Sequence, residues 1–566
     1  MSDPSIHSRV VSGMNRRTFL KTIGMASGSL MAASHLPRAR ALAGQADAPA
    51  FQLQAPEPNP KYGGTLRYGV LSAPAHFDIH QSGTVSNIAA QGPMYDNLIR
   101  HDPRDSGQTI IPDLAHHWEI SPDGKTYTFF LRQGVTFHDG ADFTAEDVNA
   151  TYSRIIWPPK GISIPRTPLF SAVGEIRIRD PYTIEFQLRE PRPSSFMLGA
   201  FASGWNVIVR KKTLEDNGYN LRNIPNYPGT GPFRHMSRTN KEVWVMEKNP
   251  HYWNKGLPYL NRLEIYHLEP FSVEMGSALL SSMIDYARGL DPATAKKAQA
   301  TPGLTSTSFY QSVIHAVWVN TTKFPYQDPR VRRALHLVLD RPVLVEVVKE
   351  LAPMLLGGFI YPFSAFATPA DELSKRLGYQ ADPKAAVQEA RRLLAEAGYP
   401  KGFTGVDFLV RELPHHKLWS IAIQAMLKET LNIETTLRTV QTSVWFDEAQ
   451  AGTFDLTISA IVSTLIDPSD YFHAWYSQDG PQNYSRWQHP AFQTLLPQID
   501  REIDDAKRLA LIRQAEAILE QNPPLLPVAW EKVNDGWHTY VKGHNPYHYF
   551  GIYDVVRWDT VWLDKS

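Results

Sequence analysis

Along much of the chain, polar and apolar residues alternate with one of two periods. From Lys125 to Arg132 the period is two, with Tyr127, Phe129 and Leu131 on one face, the spacing of a half-buried strand. Ser121 to Gly124 reads Ser-Pro-Asp-Gly, a turn, so Trp118–Ile120 and 125–132 are expected to form a hairpin. A second hairpin is expected over 176–188, turning at Asp180-Pro181. Leu66 and Tyr68 mark a first strand near the start of the ordered chain. Elsewhere the period lengthens to three and four. Thr144-Ala-Glu-Asp147 resembles a capping box that opens a helix. Asp328-Pro329 precedes Val331, Ala334, Leu335 and Val338, a cap and a first-turn proline followed by an apolar stripe. Asp382-Pro383 repeats the device ahead of Val387, Ala390, Leu394 and Ala397, and Gly398 ends that helix. A further helix spans about 504–521 before Asn522-Pro-Pro524. Strands and helices interleave throughout, which is an α/β chain.

The N-terminal stretch follows neither period. Arg16-Arg17 precede Thr-Phe-Leu-Lys21, an apolar run of about 12 residues from Ile23 to Ser34 follows, and Ala41-Leu-Ala43 ends the segment. A charged start, a short apolar run and a small-residue end form an export signal, and the paired arginines match its twin-arginine form. The run is too short and too rich in Gly and Ser to span a membrane, which takes about 20 apolar residues. Residues 1–43 are therefore expected to be a signal cleaved after Ala43, and 44–60, with four prolines, a linker. The expected address is the periplasm.

Composition narrows the function. The chain has no cysteine, which excludes disulfides, thiolate metal sites, a cysteine nucleophile and lipid attachment at a cleavage-site cysteine. The formal charge is zero, but the signal holds six basic residues and only Asp3 as an acid. Without it 51 basic face 56 acidic residues, a net charge of −5. With no basic block, nucleic acid is not an expected partner. About 520 residues remain, more than the roughly 250–300 that one core supports, so at least two lobes are expected. The adjacent acids Glu146-Asp147 and Asp504-Asp505 point apart on a helix, and no G-x-S-x-G, H-E-x-x-H or P-loop pattern occurs. No enzymatic activity is expected. His116-His117 and His415-His416 lack the i, i+4 spacing of a metal site, so neither a metal nor a cofactor is expected.

Several ordered segments resemble the extracellular solute-binding protein family 5, the dipeptide, oligopeptide, nickel and related receptors of ABC importers. The strongest is Pro112 to Val148, reading PDLAHHWEISPDGKTYTFFLRQGVTFHDGADFTAEDV. Others are Gly63–Leu66, Gly229–Phe233 with Lys248–Trp253, Trp318–Thr321 with Asp328–Leu335 and Asp340-Arg341, Asn483–Trp487, and Pro523–Val528. The resemblance covers about residues 61–560. It implies a periplasmic-binding-protein type II fold, with two lobes around a hinged cleft and an extra domain inserted in the first. The expected boundaries are 61–100, 205–305 and 528–566 for lobe I, 101–204 for the inserted domain and 306–527 for lobe II. It also implies a monomer that engulfs a ligand and presents it to permease subunits in the inner membrane.

In peptide-binding members, an aspartate three residues before the acid of a D-P or E-P step pairs with the ligand's α-ammonium. Here the step is Asp467-Pro468, and three residues back stands Thr464. A threonine supplies no negative charge to a buried ammonium. That departure favours a neutral, anionic or N-blocked ligand, such as an oligosaccharide, an opine-like conjugate or a modified peptide. The alternative is a shifted register in which Asp467 or Asp470 does the pairing. Trp445, Tyr484 and Trp318 are candidate aromatic faces for the ligand, Arg486 a candidate fork for a carboxylate, and Asn320 a candidate hydrogen-bonding side chain. Each has a structural alternative: core packing for the aromatics, an internal ion pair for Arg486, and a backbone hydrogen bond for Asn320.

Overall fold

Both hairpins and all four expected helices form, although the helix expected to open at Pro383 starts at Lys384, with Pro383 at its cap. The computed structural model describes residues 57–70, 73–74, 76–82, 85–102, 109–239, 243–463, 465–544 and 556–565. The proposed signal, most of the linker and Thr464 lie outside them. Strand β1 (Thr65–Val70) starts the main sheet. A separate sheet follows, made of β2 (Ala115–Ile120), β3 (Thr126–Leu131), β4 (Val173–Asp180) and β5 (Thr183–Leu188). The first hairpin arm thus begins three residues before its expected start. Tyr127, Phe129 and Leu131 are buried while Thr126, Thr128 and Phe130 stay half-buried, the alternation of a sheet with one covered face.

Helices α1 (Ala145–Ile156) and α2 (Ser194–Ala202) supply the cover. Thr144 caps α1: its hydroxyl accepts from the Glu146 amide at 3.3 Å, and Asp147 accepts from the Thr144 amide at 3.0 Å. The Phe201 ring meets Phe129, Phe186 and Tyr152 at 4.9, 4.7 and 5.3 Å, within the range of favourable edge and offset contacts.

The main sheet resumes with β6 (Phe233–Thr239), β7 (Val243–Lys248), β8 (Arg262–His267) and β9 (Tyr286–Arg288). Next come β10 (Leu304–Val319), β11 (Val406–Arg411), β12 (Thr435–Val440), β13 (Leu456–Val462) and β14 (Leu525–His538). The spatial order is β12-β11-β13-β10-β14-β9-β1-β8-β7-β6. The long strands β10 and β14 occupy the middle and pair antiparallel over nearly their whole length. Their register shifts between Tyr310 and Ile314, a local irregularity that lets a strand bend. Strands β12, β11 and β13 lie on one side of them and β9, β1, β8, β7 and β6 on the other.

Helices α3 (Pro329–Leu337), α4 (Lys384–Glu396), α5 (Pro414–Leu431), α6 (Thr442–Ala451), α7 (Pro490–Arg501) and α8 (Asp505–Gln521) all lie in chain order between β10 and β14. Asp328 and Asp504 cap α3 and α8 through their side chains. Among the described residues no helix is long and apolar enough to cross a membrane.

Candidate functional site

Residues at and just before the start of α2 meet the end of α7 and the first turn of α8. Arg192 meets Asp500 at 2.8 Å, Arg501 meets Glu190 at 2.5 Å, and the Arg508 guanidinium reaches the Ser195 hydroxyl at 3.5 Å. Leu465 packs into the apolar cluster under the four-stranded sheet. The segment carrying Leu465 follows β13. It is pinned by Asp470, whose carboxylate accepts from the Ser463 hydroxyl and the Leu465 amide, both at 3.1 Å. Ser463 in turn donates its amide to the Ser312 carbonyl on β10, within the irregular stretch of that strand.

Close enough to this segment to feel the Asp470 charge is Arg166, 1% exposed. One terminal nitrogen donates to the His80 carbonyl at 2.6 Å. Nε and the other terminal nitrogen have no hydrogen-bond partner among the described residues, and neither does Nε1 of Trp205, whose ring lies 5.5 Å from the guanidinium. Burial pushes the Arg166 pKa down to about 9, against the pull of Asp470 and Asp78. A buried cation with unsatisfied donors is costly and suits an incoming carboxylate, which accepts from a planar fork in two places. Nothing in the sequence around Pro165-Arg166-Thr167 marks this residue; the fold carries it close to Asp470 and Asp78.

The residues singled out from the sequence fall into two groups. Trp318, Asn320, Trp445, Tyr484 and Arg486 gather around Tyr484 and Gly452. The Tyr484 ring lies 5.5 Å from Trp445 and 6.2 Å from Trp318, so the three aromatics form one cluster, and all are buried. Trp445 donates Nε1 to Thr457 at 2.8 Å. The Asn320 amide donates to the carbonyls of Gly452 and Phe454 at 3.0 and 3.1 Å, and its oxygen accepts from Thr322. That side chain is committed to backbone. Arg486, at φ +53°, donates to the Gln450 carbonyl at 2.7 Å. With Tyr484, Gln450 and Thr322 it lines an open cavity of about 460 Å³.

Asp467 lies apart from them. It caps the short helix Pro468–Tyr471 and binds both terminal nitrogens of Arg508 at 2.7 Å. Its charge is already neutralised inside the protein, and Asp470 holds its own loop. Thr464 lies outside the described residues.

The comparisons with known proteins agree with this architecture. Residues 109–483 match the family model described as "Bacterial extracellular solute-binding proteins, family 5 Middle". The chain is 27% identical over 537 residues to the probable deoxycholate-binding periplasmic protein YgiS of Escherichia coli K12, covering 89% of this chain and 94% of that protein. It is 25% identical over 442 residues to the periplasmic oligopeptide-binding protein OppA of Salmonella typhimurium LT2, covering 74% and 78%. The solved structure of the binding protein AgaA of A. tumefaciens R10 with agropinic acid superposes with a TM-score of 0.73 at 23% identity, covering 89% and 99%.

Proposed function

The chain belongs to the bacterial extracellular solute-binding proteins of family 5, and from that premise we propose that it captures a peptide-like or other small organic solute between its two lobes. The closed complex then presents the solute to the permease of an ABC importer. The observation that carries this reading is the lobe boundary. Long strands with an irregular centre join the lobes, and a handful of polar bridges close them on one side. That is the build of a hinge that a ligand biases by binding better to the closed form. The lobe and insert boundaries given above, a monomeric state, the periplasmic address and export through the twin-arginine machinery belong to the same proposal, as does the absence of catalysis.

One observation favours an anionic or N-blocked solute over a free-amine peptide. Arg166 brings unsatisfied positive charge to the boundary, while Asp467, an acid near the family's ammonium position, is held by Arg508. Relatives include proteins named for deoxycholate and for oligopeptides, and a structural neighbour was solved with agropinic acid. A thermal-shift panel of free-amine peptides, N-blocked peptides, opine-like conjugates, bile acids and oligosaccharides separates them. A solute at 100 times its Kd adds about 2.7 kcal/mol of stability. Stabilisation by carboxylate-bearing or N-blocked solutes is expected. Stabilisation by free-amine peptides alone would overturn the anionic reading and leave the peptide one standing.

A further inference from the structure

We propose that the second lobe contains a site for a first-row divalent metal ion of the zinc or nickel type, built from His315, His415 and His416 with Glu531 behind them. The spacing of the His415-His416 pair conceals this site, because its third member arrives from a strand about a hundred residues earlier. His315 lies on β10, just past the irregular stretch, and its ring contacts both other rings, at 5.2 and 5.4 Å between centroids. His415 and His416 occupy the first turn of α5, after Pro414. One ligand atom from each of the three rings lies within 4.8 Å of the other two. Among the described residues this is the one such grouping of histidine and acidic side chains.

The hydrogen bonds decide how the site works. His315 Nε2 faces a Glu531 carboxylate oxygen at 3.2 Å. A carboxylate accepts only, so the proton sits on Nε2 and the Nδ1 lone pair is left to point at His416. That pair of ring nitrogens, His315 Nδ1 and His416 Nε2, is 3.2 Å apart. Two ligands on a tetrahedral ion with metal–nitrogen bonds of about 2.0–2.1 Å stand about 3.3 Å apart. The pair is therefore already at ligand spacing, and the His315–Glu531 contact matches the carboxylate that commonly orients a ligating imidazole.

His415 Nε2 and His416 Nδ1 have no partner among the described residues, although buried polar atoms are normally bonded. A small rotation of the half-buried His415 ring brings its free nitrogen to the third position. The fourth stays open for water or a carboxylate. Imidazole suits zinc, copper and nickel and disfavours magnesium and calcium. The site is separate from the Arg166 boundary and does not depend on which solute that boundary binds.

The test uses the untagged full chain, stripped with a chelator. It is titrated with Zn²⁺, Ni²⁺ and Co²⁺ separately by calorimetry, and Co²⁺ coordination is read from its visible spectrum. One saturable equivalent and the intense bands of tetrahedral Co²⁺ are expected. Glu531→Gln should weaken binding about 10–100-fold, and His415→Ala by more than that. His251→Ala, at an exposed histidine elsewhere, should change nothing. If the buried changes His315→Ala or His416→Ala prevent folding, half-buried His415 still carries the test. No saturable binding, or binding that survives both His415→Ala and Glu531→Gln unchanged, would overturn the site.

Discussion

At the scale of single residues, two buried arginines behave differently. Arg508 is fully matched: it holds Asp467 with two terminal nitrogens at 2.7 Å and also reaches Ser469 at 2.8 Å. Removing one member of such a pair strands the other charge and costs about 3–5 kcal/mol. Arg508→Met should show that loss in urea denaturation, and a cost under about 1 kcal/mol would mean the pair is solvated. Arg166 is only half-matched. Charge-assisted hydrogen bonds contribute about 1.5–3 kcal/mol each, so Arg166→Met should weaken carboxylate-bearing solutes by about tenfold or more. Neutral solutes should keep their affinity. The Asp467-Pro468 step, though not the short helix it caps, was legible. The Arg508 that neutralises it was not, because the two lie 41 positions apart and meet only through the packing of α8.

At the scale of elements, local chemistry was readable and long-range pairing was not. The hairpins at 115–131 and 173–188 and the caps at Thr144 and Asp328 follow from period and from side chains within four residues of one another. Thr144→Ala should therefore cost about 1 kcal/mol, measured by urea denaturation. The β10–β14 ladder joins residues more than two hundred positions apart, and β10, with Thr and Ser over 305–308 and an apolar stretch from Val313 broken by His315, shows no sustained strand period to read. The histidine cluster depends on that ladder, which explains why the sequence concealed it. Gly231 shows how a family block serves packing: a Cβ there would lie 2.4 Å from the Met94 carbonyl carbon and the Tyr95 amide nitrogen. Backbone cannot yield as a side chain does, so Gly231→Ala should lose at least about 1–3 kcal/mol. A neutral result would show that the two segments can separate.

At the scale of the whole molecule, buried histidines set the response to acid. Burial, reinforced by Arg154, pushes His80 down to about 3, and burial with Arg341 does the same to His336. Both rings stay neutral in the folded chain while the unfolded chain takes protons below about pH 6.5. Stability is therefore complete above that pH and falls between 6.5 and about 3, by about 1.4 kcal/mol per pH unit for each ring. Asp535 works in the opposite sense. Burial pushes it up to about 6, so its contribution is lost as pH rises from about 4 to 6. Comparing variants isolates the histidine effect. His336→Gln should flatten the dependence of the urea midpoint between pH 6 and 4, and an unchanged slope would remove His336 from the account.

The two-lobed architecture was legible through the family blocks, while the ligand was not, because those blocks are scaffold: turns, caps and sheet faces. The central claim is that solute binding closes the lobes. Its most direct test is small-angle X-ray scattering of the full chain, with and without the solute that stabilises it most. The account predicts a fall in radius of gyration that saturates along the binding curve. Saturable binding at an unchanged radius would contradict it.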